Sequence, residues 1–362
     1  ARRARVVTIS VLAVAALGLT ACTGGGNGAT GGDVNTVDDS LAASFDDAIA
    51  NAMTSSGSTE AIVGIWGSDG SEYVRAYGND ELDGGSLIRG GQATQPVMCA
   101  LLLDLVEEGT IDLDREISKD LTRQVGIEGI TYRQLCDMRS GLADFKSGFR
   151  DIFVNNPTRV WPEQELIAQG LVHSPLKWPG LDFHESDTNA TMLSRVLRVK
   201  TASETAQLLD DHVFNKASMG STFYPDPTTT ALSGSTLSGL AYASKGGKPV
   251  CKTGALEVPE VSSSMLAGAG GTVTTVTDLK NFYSSYLDGE FGGDAASVVT
   301  EKTPTKNPKR NKDGEPKTDP VTTGRQWTFG METQGPLYGR AGAITGTLTA
   351  AYHDPETEYT VV

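Results

Sequence analysis

The 362-residue sequence predicts an α/β fold of the α+β kind: one antiparallel sheet built from both termini, flanked by helices, with an all-helical subdomain inserted between its halves. Two β-rich alternating runs near the start, Ala61 to Trp66 and Glu72 to Tyr77, are separated by Gly67-Ser68-Asp69-Gly70 and read as a hairpin. Three more runs, Gln326 to Glu332, Thr347 to Tyr352 and Glu358 to Val362, alternate near the other end between Gly-rich or Asp-Pro turns. Between these two groups the apolar spacing is helical, which places the helices as an insertion at about 97–250.

The first residues carry a targeting pattern. Arg2, Arg3 and Arg5 precede an apolar run from Val6 to Leu19, too short for the roughly 20 residues of a spanning helix. The run ends in Leu19-Thr20-Ala21-Cys22, which resembles a bacterial lipobox, with Cys22 as the lipid acceptor. Residues 1–21 are therefore expected to be a lipoprotein signal peptide, 22–38 a Gly-rich tether, and 39–362 the folded domain, held outside the cytoplasmic membrane.

In that domain, Leu41, Phe45, Ile49 and Met53 form one stripe of a helix over Ser40 to Thr54. Val97 to Glu108 is an apolar helix with Pro96 in its first turn and Gly109 as its stop. Thr131-Tyr132-Arg133-Gln134 has the capping-box form and starts a helix carrying Cys136. Helical spacing returns at Glu163 to Leu171, Ala190 to Val199, Ala202 to Phe214 and Thr277 to Tyr286. Residues 301–323, with five Lys, one Arg and four Pro, read as an exposed loop.

A formal charge of −15 excludes nucleic acid and an anionic membrane surface as partners, since both require a basic face. Loss of residues 1–21 removes three Arg and no acidic residue, so the charge falls from −15 to −18. With Cys22 lipidated, Cys99, Cys136 and Cys251 remain, enough for one disulfide and one buried thiol. Cys99 with Cys136 is placed first, and pairings with Cys251 stay open. The four His are scattered and no two Cys have CxxC spacing, so we expect no structural zinc and no cofactor.

Several short segments carry a family resemblance. They are Leu101 to Gly109 followed by Ile111-Asp112-Leu113-Asp114, Ile130 to Leu135, Ser140-Gly141-Leu142, Pro179-Gly180, and Ser186-Asp187-Thr188-Asn189. Gly270-Gly271-Thr272-Val273, Thr277-Asp278-Leu279 and Tyr338-Gly339 with Gly342 ahead of a strand complete the series. In this order the chain resembles the class C type serine β-lactamases and D-alanyl-D-alanine carboxypeptidases. The resemblance implies a Ser nucleophile with Lys and Tyr as proton acceptors, and a third motif on a sheet strand.

Each reactive position departs from that pattern. The SxxK motif falls on Gln92-Ala93-Thr94-Gln95, so nucleophile and Lys are both amides, which neither attack a carbonyl nor exchange a proton near neutral pH. The Tyr of the second motif is Glu185, ahead of Ser186 and Asp187, and the third motif reads Arg340-Ala341-Gly342. Ser174-Pro175-Leu176-Lys177 and Lys252-Thr253-Gly254 spell family motifs at the wrong places in the order, and Ser86 has Arg89 where a base would stand. His184 adjoins the second motif, but the resemblance implies that the residue in this place faces away along an extended segment. Trp66, Trp161, Trp178 and Trp327 are expected as packing anchors, with Trp178 the one near the approach to the cleft.

The resemblance brings the second and third motifs to one cleft, so Glu185 and Arg340 are expected to pair across it with Gln92 and Gln95 bonded beside them. The expected function is a lipid-anchored pseudoenzyme that binds a cell-wall fragment, peptide or protein. The alternative is an active serine hydrolase of β-lactamase, carboxypeptidase or esterase type, with Ser186, Thr94 or Ser86 as a non-standard nucleophile. The family continues past a strand like that at Val362 into a terminal helix, so a truncated sequence is also expected.

Overall fold

The computed structural model describes residues 32–319, 321 and 323–362. The signal peptide and Cys22 lie outside them. Nine strands form one antiparallel sheet: β1 (Val34–Asn35), β2 (Ala61–Trp66), β3 (Glu72–Tyr77), β4 (Thr303–Pro304), β5 (Gln326–Trp327), β6 (Glu332–Gln334), β7 (Leu337–Ile344), β8 (Thr347–Asp354) and β9 (Tyr359–Val361). Their order is β1-β3-β2-β9-β8-β7-β6-β5-β4, so the C-terminal strand β9 joins the two halves through Val361 opposite Ile65.

The helices are α1 (Asp39–Ser56), α2 (Gln95–Glu107), α3 (Tyr132–Cys136), α4 (Lys146–Asn155), α5 (Glu163–Val172), α6 (Thr188–Thr201), α7 (Thr205–Leu209) and α8 (Val276–Leu287). Alternation along β3 sorts the layers. Val74 enters the main core, while Tyr73 packs edge-on against Phe45 of α1 and bonds Asp46. The main core joins Val74 and Trp66 to α2, α6 and α8. Helix α2 is apolar nearly all round and is the buried axis of the domain; Leu101, Leu102 and Leu103 are fully buried, at about 2 kcal/mol of transfer free energy each. Thr131 caps α3 in the expected capping box.

Several boundaries differ from expectation. Val34–Asn35 pairs with β3, the Asp33 carboxylate accepts from Ala76 and Gly84 N–H, and Asp38 caps α1, so the expected tether already belongs to the domain from Asp33. The helix expected over Ala202 to Phe214 is interrupted. Ala202 is left-handed, α7 starts at Thr205, and Asp210–Phe214 is a π-helix. Gln326 to Glu332 is two short strands joined by a turn in which Thr328 N–H meets the Met331 carbonyl. Gly342 lies inside an eight-residue strand, not ahead of one; four small residues and an Arg hide the alternation of β7. Helix α4 and short pairings such as Gly239–Ala241 with Leu256–Val258 were not expected.

Cys99 and Cys136 form a disulfide that ties α2 to α3. Cys251 is free but exposed, which corrects the expected buried thiol. Trp66, Trp161 and Trp327 are buried, whereas Trp178 is 75% exposed and anchors nothing. The basic loop is latched at its base: Arg310 pairs with Asp182 at 2.6 Å, and the Asn307 side chain exchanges two 2.7 Å bonds with the Phe183 backbone.

Candidate functional site

The three sequence motifs converge. A 3-10 turn, Gly91–Thr94, leads into α2 and lies against β7. Gly342 makes this approach possible, because a Cβ there would stand 2.2 Å from Gln92 N. Strand β6 pairs with β7 only as far as Gly339, so Arg340–Ile344 have β8 on one side and, among the described residues, no strand on the other. Gln92 fills that edge. Its Oε1 accepts the Ala343 N–H at 2.7 Å, and its Nε2 donates to Asp187 Oδ2 at 2.6 Å.

Asp187, at the head of α6, is 1% exposed and also receives Lys146 Nζ at 2.8 Å. Lys146, the first residue of α4, was not singled out in the sequence, nor was Asp144, 3.8 Å from the same ammonium. Burial alone pulls Lys146 down, but Asp187 and Asp144 hold it above the ordinary lysine value. It stays protonated. Burial and the Asp187 carboxylate push Asp144 up to about 6.

The expected pair is formed: Arg340 Nη2 lies 2.7 Å from Glu185 Oε1. Glu185 also receives Arg325 Nη2 at 2.9 Å, and Arg325 bridges to Glu332, which accepts the Tyr352 hydroxyl at 2.7 Å. The Arg340 guanidinium stands over Trp327 at 4.7 Å, stacking that explains how a 3% exposed Arg is accommodated. Burial acts to raise the Glu185 pKa, yet Arg340 and Arg325 hold it down at about 2. Arg325 and Glu332 were missed because no motif marks them.

Gln95 corrects one expectation. It is 1% exposed, and neither of its amide atoms is bonded among the described residues, so it does not bond beside the pair. The alternative nucleophiles are also occupied. The Thr94 hydroxyl donates to the Gly91 carbonyl at 2.8 Å, Ser186 Oγ accepts from Thr188 N–H at 3.2 Å, and Ser86 Oγ bonds Asp83 and Ser235. All three are 2% exposed or less, and among the described residues none of these hydroxyls bonds a Lys or His. His184 N–H is tied to the Met138 carbonyl at 2.7 Å. Ser174-Pro175 precedes a surface turn, and Lys252-Thr253-Gly254 is exposed.

Beside the filled position a cavity of about 440 Å³ remains, lined by Asp144, Lys146, Arg150, Phe153, Met265 and Ala343 among others. The fold and this cleft define a serine β-lactamase-type domain. Residues 45–362 match the beta-lactamase family, and the chain belongs to it. Solved structures agree on the fold. A D-amino acid amidase from Ochrobactrum anthropi complexed with D-phenylalanine is 21% identical, with a TM-score of 0.71 over 89% of each chain. A D-stereospecific amidohydrolase from Streptomyces sp. is 20% identical, with a TM-score of 0.71 over 84% of this chain and 88% of its own. A penicillin binding protein from Bacillus halodurans is 15% identical, with a TM-score of 0.65 over 83% of this chain and 89% of its own.

Proposed function

We propose that this protein is a lipoprotein, anchored outside the cytoplasmic membrane through Cys22, whose β-lactamase-type domain performs no acyl transfer and binds a cell-wall fragment, peptide or protein. One observation carries the reading. The Gln92 carbamoyl sits where a nucleophile would stand and satisfies both Asp187 and the Ala343 N–H. A carboxamide has no proton to lose near neutral pH and no lone pair basic enough to attack a carbonyl. The surrounding charges are neutralised: Lys146 with Asp187, Arg340 with Glu185, Arg325 with Glu332. That leaves no general base poised near neutrality except Asp144, which has no hydroxyl partner among the described residues. The remaining cavity combines charged residues, Asp144, Lys146 and Arg150, with apolar ones, Phe153 and Met265, and suits a small amphipathic ligand.

Two probes test this. A fluorescent β-lactam and a fluorophosphonate are expected to leave the protein unlabelled, with no hydrolysis of a chromogenic cephalosporin or a short-chain ester. Labelling that disappears in Ser86→Ala, Thr94→Ala or Ser186→Ala would replace the pseudoenzyme with the hydrolase alternative. D-amino acid amides belong in that panel because two structurally similar proteins are an amidase and an amidohydrolase.

A further inference from the structure

At the far end of α2, away from the cleft, three metal-ligating side chains converge. Asp104 and Glu108 are four residues apart and share a face at the C-terminal end of the helix, where the helix dipole also favours a cation. His212 approaches from the π-helix Asp210–Phe214, whose wider turn changes the angular register of the side chains that follow α7. Its Nδ1 lies 2.8 Å from Asp104 Oδ2 and 3.6 Å from Glu108 Oε1. One ring nitrogen thus faces two carboxylates.

We propose that Asp104, Glu108 and His212 form a zinc-type divalent metal site. A single Nδ1–H satisfies one carboxylate oxygen, whereas an ion at the centre satisfies all three groups. Their ligand atoms lie within 4.8 Å of one another, so small rotamer adjustments bring each to the roughly 2.0–2.2 Å of zinc–nitrogen and zinc–oxygen bonds. Among the described residues no other three such side chains come this close.

Charge and donor type agree. Lys216 pairs with Asp104 and Glu107 and, among the described residues, is the one Lys or Arg within ion-pair distance of Asp104, Glu107 or Glu108, which leaves two negative charges around the imidazole for a dication to balance. Lys216 Nζ holds the other Asp104 oxygen at 2.7 Å, fixing the carboxylate as an outer-sphere partner does. Asp104 and His212 are mostly buried while Glu108 is 51% exposed, which gives an ion a route in and room for water as fourth ligand. Imidazole with two carboxylates favours zinc over magnesium or calcium, and the lack of thiolate disfavours copper(I). On binding, the ring proton moves from Nδ1 to Nε2 by exchange with solvent, and the Nδ1 lone pair so freed goes to the metal.

Isothermal titration of the metal-stripped protein with Zn²⁺ tests this, alongside the visible spectrum with Co²⁺. One equivalent is expected to bind, with affinity falling at least about tenfold in His212→Ala and Glu108→Gln. Thermal unfolding should shift upward with Zn²⁺ in the wild type but not in His212→Gln, which keeps a hydrogen-bonding side chain of similar reach if the alanine variant folds poorly. Equal binding by wild type and both His212 variants, or no binding to the wild type, would overturn the site.

Discussion

Gln92 Oε1 and the backbone N–H of Ala343 are 2.7 Å apart, so a side chain from the head of α2 closes the open edge of the sheet. Removing it by Gln92→Ala strands this donor and takes one of two partners from the buried Asp187 carboxylate. The expected loss is about 2 kcal/mol, read as a lower urea midpoint at unchanged m-value. Gln92→Glu should cost more at pH 8 than at pH 5, because it sets a second carboxylate against Asp187. A Gln92→Ala midpoint equal to wild type would show that the contact contributes nothing.

Glu185 gives an acid signature. Its carboxyl is held down at about 2 against an ordinary value of 4.5, so its contribution is complete above pH 4.5 and is lost as pH falls towards 2. The melting temperature of wild type minus that of Glu185→Gln should be positive and flat near neutrality and shrink across this window. The side chain is 38% exposed, so screening keeps the difference well below what the shift implies, and added salt reduces it. A pH-independent difference would remove the ion pair as its cause.

Asp144 has the opposite sign. Burial and Asp187 raise its pKa from 3.8 to about 6, so its ionisation destabilises the fold progressively between those values and the penalty is constant above them. Asp144→Asn keeps the side-chain oxygen that accepts from the Lys146 N–H. It should stabilise the protein by about 1–2 kcal/mol at pH 8 and hardly at all below pH 4. Equal effects at both pH values would contradict this account.

The disulfide between Cys99 and Cys136 closes a loop with a sequence separation of 37. Loop-closure entropy puts its stabilisation at about 3–4 kcal/mol. Cys99→Ala with Cys136→Ala, or reduction of the unfolded chain before refolding, should lower the melting temperature by several degrees. Mass spectrometry of the non-reduced protein should leave Cys251 as the thiol alkylated in the native state.

The sheet hairpin, the long apolar helix and the three motif positions were legible because each rests on local spacing: alternation in 61–77, a continuous apolar run in 97–108, family order around 92, 185 and 340. The Glu185–Arg340 contact followed from placing two motifs in one cleft. Lys146 and Asp144 were not legible, since their role arises from the start of α4 meeting the head of α6, which no local pattern announces. Gln95 was misread for a related reason. Spacing placed it beside Gln92, but only Gln92 finds polar partners, Asp187 and the Ala343 N–H, while Gln95 is buried without one among the described residues. Strand β7 was obscured by small residues that packing, not propensity, requires: Gly342 has to leave room for the Gln92 backbone.

The unpaired stretch of β7 has a consequence for solution behaviour. An edge offering free N–H and C=O groups is a template for another chain, and soluble proteins blunt such edges. With its carbonyl on Ala343 N–H, Gln92 occupies one donor of that edge, which leaves one group fewer for another chain to pair with.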